Sequence, residues 1–149
     1  MPSELLSLLY SGKREEAAAL VPADVFEAAA LGDAAAVERF LADHPAGATE
    51  WSDDGFTALG YACFFGTPAA AALLIEAGAD VEVQSRNDMG VRPMNAAAAG
   101  RHPVETMRLL LAAGADVDGR QKSGHTALDE ARIRKDQAMI DLLTEAGAE

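Results

Sequence analysis

His44, His102, His125 and Cys63 are the side chains of this sequence best suited to acid–base, nucleophilic or zinc chemistry, and Asp53-Asp54 is suited to a hard cation. Each of these chemistries needs groups that converge on one point. No Cys/His set here has the spacing of a zinc site, and "WSDDG" (51–55) lacks the ligand pattern of a calcium loop. Phosphate-cradling glycine loops are also absent, because the glycines punctuate helix ends. The sequence therefore predicts no catalytic set, no metal and no cofactor. One cysteine cannot form an intramolecular disulfide and suits a reducing compartment.

A second kind of chemistry is contact. Aromatics make up only 5% of the residues, yet Phe56, Tyr61, Phe64 and Phe65 crowd into "FTALGYACFF". A formal net charge of −12 repels phosphate backbones and anionic lipid, which excludes nucleic acid and membrane surfaces as the expected partners. No stretch approaches the roughly 20 apolar residues of a membrane span. "MPSELLSLLYSG" has no basic start and carries Glu4, so it reads as a poor signal peptide. A cytoplasmic location is the expectation.

What positions these residues is an internal repeat. "DGFTALGYACFFGTPAAAALLIEAGADVE" (54–82), "MGVRPMNAAAAGRHPVETMRLLLAAGADVD" (89–118) and "SGHTALDEARIRKDQAMIDLLTEAGAE" (123–149) share one order: turn, short helix, tight turn, longer helix. Gly55, Gly90 and Gly124 are spaced by 35 and 34 residues, and Gly78, Gly114 and Gly147 by 36 and 33. Thr57 and Thr126 stand where an N-cap hydroxyl belongs, and Thr67-Pro68 and His102-Pro103 restart the chain as N-cap and first helical residue. The later glycines suit left-handed helix ends. Strand alternation is absent. One helix pair cannot bury its apolar face alone, so the pairs must stack into an all-α solenoid.

These units resemble the ankyrin repeat. "G-F-T-A-L-G" with "LLIEAGADVE", "G-V-R-P-M-N" with "LLLAAGADVD", and "G-H-T-A-L-D" with "LLTEAGAE" follow the family's turn glycine, Thr-Pro-Leu-His, leucine triplet and Gly-Ala-Asp signature. The resemblance implies stacked antiparallel helix pairs with projecting finger loops in one domain, 1–149. Its parts are an N-terminal cap pair (3–21, divided at Gly12), a degenerate repeat (24–45), repeats at 54–84 and 89–120, and a C-terminal capping repeat (123–149). Departures are plain. The family histidine is replaced by Gly60, Asn95 or Asp129, repeat four has an extra residue between Ala99 and His102, and "QSRND" (84–88) is about two residues longer than usual. The three histidines fall in turns of different repeats, which holds them apart. Cys63 takes a small, buried position of the pattern.

The resemblance also implies a function: a non-enzymatic interaction module or scaffold that binds a protein partner through its concave face and fingers. The residues carried onto that face are Phe56 beside the first turn glycine, Phe64 and Phe65 at the end of a first helix, Met89 and Val91 on the next finger, and His125, Ile133 and Arg134 in the last repeat. Helix geometry supports part of this set. At about 100° per residue, Leu59, Ala62, Cys63 and Gly66 share one face, while Phe64 points about 150° and Phe65 about 110° away. Phe64 is then the aromatic with no packing role in its own repeat. Phe65 has two destinations, the groove or the alanine surface of "NAAAAG" (95–100), and Tyr61 is expected to join adjacent repeats. Glu50, Asp53 and Asp54 make the front fingers acidic, and Arg120, Lys122, Arg132, Arg134 and Lys135 make the far end basic. Leu5, Leu6, Leu8 and Leu9 exceed one narrow helical stripe. They would be buried on repeat two in a monomer, or would pair two chains in the alternative reading, a self-associating homodimeric subunit.

Overall fold

The computed structural model describes residues 2–149. Among these residues there are ten α-helices, a single 3-10 turn at Pro45–Ala48 and no strand. Two short helices come first, α1 (Glu4–Tyr10) and α2 (Arg14–Ala18). Four helix pairs follow: α3 (Val25–Leu31) with α4 (Ala34–Asp43), α5 (Ala58–Phe65) with α6 (Pro68–Glu76), α7 (Pro93–Ala99) with α8 (Pro103–Ala112), and α9 (Ala127–Arg134) with α10 (Gln137–Glu145). The first helices α3, α5, α7 and α9 stand side by side as an inner row, backed by α4, α6, α8 and α10. This is an all-α solenoid of stacked helix pairs.

Local chemistry sets the helix boundaries. The side chains of Asp24, Asp33, Thr57, Thr126 and Asp136 each accept the backbone N–H three residues on, which satisfies a donor the helix cannot. Gly78, Gly114 and Gly147 end the outer helices with φ between +91° and +99°. Thr67 differs from expectation. Its hydroxyl makes no cap for α6 and instead donates to the Ala29 carbonyl of the preceding repeat at 2.7 Å.

Small residues let the inner row close up. Ala28, Ala29, Ala62, Cys63, Ala97, Ala98 and Ala131 are fully buried between helices. Leu59, Leu74, Met94, Met107, Leu110, Met139 and Leu143 fill the layer between the inner and outer rows. The ends of α5 and α7 come closer still. A Cβ on Gly66 would strike the Arg101 carbonyl, and one on Gly100 would strike the Phe64 carbonyl, so only glycine permits the Arg101 N–H to reach Phe64 O at 2.8 Å. The extra residue of repeat four is accommodated at this contact.

The N-terminal pair turns at Gly12 (φ +78°), but α1 does more than stack on repeat two. Leu5, Leu6 and Leu9 are buried in one cluster with Ala30, Leu31, Tyr61 and Phe65, so α1 lies across α3 and reaches α5. At its end, the Arg101 guanidinium donates to Leu9 O (2.7 Å) and Tyr10 O (3.3 Å). Helix α1 is thus a strap running from the second repeat to the fourth. Leu5, Leu6 and Leu9 are buried inside the chain, and Leu8 is half-buried against the same cluster.

Candidate protein-interaction groove

The site is built by α5, α7 and the fingers before them. Finger positions are fixed by bonds between neighbouring repeats. Arg86 N–H donates to Gly55 O at 2.7 Å, and Lys122 N–H donates to Gly90 O at 3.1 Å. Asn87 donates to Asp54 O and accepts from the N–H groups of Met89 and Gly90. Arg86 also lies flat on the Trp51 ring, 3.5 Å from its centroid. These contacts fix the fingers relative to one another.

Four of the residues singled out from the sequence meet at one place. Phe56 and Phe64 from repeat three face Met89 and Val91 from repeat four across an apolar hollow of about 280 Å³. Ala96, Ala99 and Gly60 line it beneath, with Asn95 beside them, and Tyr10 and Tyr61 complete the wall. Phe56 packs edge-on against Tyr61 at 5.4 Å, and Phe64 lies 5.9 Å from Tyr10. Met89 is 56% exposed, whereas Phe56, Phe64 and Val91 are half-buried, so each offers one side to solvent and one to the fold.

Two of the polar side chains around the hollow, Asn95 and Tyr61, are already engaged. Asn95, at the position where the family pattern has histidine, accepts from Arg92 N–H and donates to the carbonyls of Gly119 and His125. It therefore does a histidine's bridging work between repeats. The Tyr61 hydroxyl pairs with Ser52 Oγ at 2.9 Å. Burial pushes the Tyr61 phenol up to about 12 against the opposing Ser52 bond, with smaller contributions from Tyr10, Asp54 and Asp24. Burial also raises Tyr10, followed by the charge of Asp54. The same cause raises the fully buried Cys63 thiol, which is held as a neutral core group.

Other expected contact residues go elsewhere. Phe65 is 3% exposed and sits among the α1 leucines, Ala30 and Leu31, with the Tyr10 ring 5.0 Å away and Arg101 over its face. Neither of its two expected destinations is where it lies, because α1 covers it. Arg134 is exposed, yet its guanidinium donates to Ala98 O (2.6 Å) and Gly100 O (2.9 Å), closing the C-terminal end of α7. This cation is committed to the fold and is not free for a partner. Ile133 is 65% exposed but lines neither groove hollow. His125 does belong to the groove. It lines a second, more polar hollow of about 420 Å³ with Asp88, Lys122 and Glu130, which shares Met89, Val91, Asn95 and Ala99 with the first.

Comparison with known proteins gives the same repeat. Residues 54–86, which hold the first finger and the α5–α6 pair, match the ankyrin repeat family. This is an ankyrin-repeat protein. Its match to the protein fem-1 homolog C of cattle, mouse and human is 36% identical over 110 residues, covering 66% of this chain. The chain spans only 17% of the length of those relatives. Ankyrin repeats generally serve as protein–protein interaction modules and are generally non-catalytic.

Tyr10, Gly60, Tyr61, Asn95 and Ala96 also line the hollow without having been among the contact residues expected of this ankyrin protein. Gly60 stands where the family pattern has histidine, so its missing side chain was visible, but the space it opens beneath Phe56 was not. Tyr10 gave no local signal. Its place on the rim follows from α1 folding over the third repeat.

Proposed function

We propose that this protein is a non-enzymatic interaction module that holds a segment of a protein partner in the groove of repeats three to five, with Phe56 and Phe64 as anchors. The supporting observation is the convergence of Phe56, Phe64, Met89 and Val91 on one apolar hollow between fingers already fixed by inter-repeat hydrogen bonds. Apolar concavities lined by aromatic side chains are where interface energy concentrates. The polar hollow around His125 extends the same surface and gives a partner backbone hydrogen-bonding groups to meet.

Met89→Asp tests the reading with little risk to folding, because Met89 is more than half exposed. Partners recovered with the wild-type chain from its native cell should be lost with Met89→Asp, while circular dichroism and melting stay unchanged. Equal recovery with a folded variant would show that the groove is not the contact surface.

A further inference from the structure

Gly60 occupies the interior of α5, where glycine is less favourable than alanine. Nothing in the fold requires it. Its φ is not positive, and an added Cβ would meet Thr57 Oγ1 at 3.5 Å and Phe56 atoms at 3.8 and 3.9 Å, ordinary contact distances. What glycine does here is leave the floor of the apolar hollow open between α5 and α7. At about 280 Å³ the hollow falls just below the pockets of drug-sized ligands, about 300–1,000 Å³. That size suits a single large side chain.

The chemistry of its walls narrows which side chain. Asn95 and Tyr61 have their polar groups paired within the protein, so a polar side chain seated over Gly60 would lose water and find only the Tyr10 hydroxyl on the wall. An aliphatic or aromatic group loses nothing. The rim supplies the second constraint. Asp53 and Asp88 are exposed on the two fingers that flank the hollow; Arg86 is stacked on Trp51, and Lys122 stands on the next finger, across the adjoining hollow from Asp88. With a net charge of −12 behind them, these fingers favour a cationic approach.

We propose that the groove is selective for a partner segment carrying one bulky apolar side chain flanked by lysine or arginine, with that side chain seated over Gly60 and the cations beside Asp53 and Asp88. This rests on the interaction-module reading and specifies the class of partner. Selection of the full-length protein against a randomised peptide-display library tests it. The expected consensus is Leu, Met, Phe or Trp next to Lys or Arg, and a polar centre or acidic flanks would overturn the proposal. Against the best selected peptide, affinity should fall from Gly60 through Gly60→Ala to Gly60→Leu, the last by about tenfold or more, as for loss of a well-packed anchor. Ala99→Leu fills the same hollow from the exposed end of α7 and should act likewise, which keeps the test intact if Gly60→Leu fails to fold. Asp88→Lys should slow association and reduce its salt dependence. Full affinity in folded Gly60→Leu or Ala99→Leu would remove the anchor from the hollow. Peptides that lack the anchor or the cations but are blocked by Met89→Asp would defeat this inference and leave the groove reading standing. Binders indifferent to Met89→Asp, or an empty selection, would defeat both.

Discussion

Two adjacent phenylalanines take different places in this protein, Phe64 on the wall of the apolar hollow and Phe65 beneath α1. Phe64 and Phe65 differ by about 100° in direction on α5, enough for one to face the groove and the other to be covered by α1. Their rings meet edge-on at 5.1 Å, so the buried one also supports the half-buried one. Phe65→Ala should therefore cost about 3–5 kcal/mol, the usual range for a fully buried phenylalanine, by urea denaturation. Met89→Ala, on the open finger, should stay within about 0.5 kcal/mol. A Phe65→Ala loss below about 1 kcal/mol would mean that α1 does not pack on α5 as described. Helical phase turned Phe64 toward the hollow, but it overstated the separation, because the half-buried ring also packs against the core cluster of Leu59, Ala62 and Cys63. Phase could not place Phe65, because the covering surface comes from leucines more than fifty residues earlier in the chain.

At the scale of elements, the repeats were legible and the strap was not. Turn glycines, N-cap threonines and leucine triplets act over a few residues, so their spacing alone yields α5 to α10 and the stacking that must follow. Helix α1 is fixed by a contact of another kind, the Arg101 guanidinium on Leu9 O and Tyr10 O, ninety-odd residues apart. No local pattern announces such a bond. Arginine recurs in this role on the same side of the stack: Arg14 donates to Leu31 O at the end of α3, and Arg134 to the end of α7. Each adds a cationic donor to carbonyls at the C-terminal end of a helix. Arg101→Ala should lower stability by about 2 kcal/mol, as expected for charged hydrogen bonds to partly buried carbonyls. Hydrogen exchange should quicken at the α1–α2 amides and leave α9–α10 unchanged. Unaltered protection in α1 would mean that leucine burial holds the strap without Arg101.

For the whole molecule, the strap makes the two ends unequal. In a solenoid, stability is close to a sum of repeat and nearest-neighbour terms. Helix α1 adds contacts that tie the second, third and fourth repeats together, whereas α9 and α10 rest on the fourth repeat alone. Arg132, Lys135, Gln137, Asp141 and Glu145 are exposed on this pair. Opening should therefore begin at the C-terminal repeat, with α10 amides exchanging at lower protection than those of α5 and α7. Acid should widen that difference. Asp129 accepts the Thr126 backbone N–H at 2.9 Å while Thr126 Oγ1 accepts the Asp129 N–H, and the first of these bonds is the main cause holding the Asp129 carboxyl below its usual range. A folded-state pKa below the unfolded value of about 3.9 means its contribution is complete above that pH and is lost as pH falls through the folded value. Between about pH 4 and pH 2, protection at the start of α9 should drop faster in the wild type than in Asp129→Asn, which has no proton to take up. Parallel pH profiles for the two proteins would show that the capping box does not set the acid sensitivity of this end.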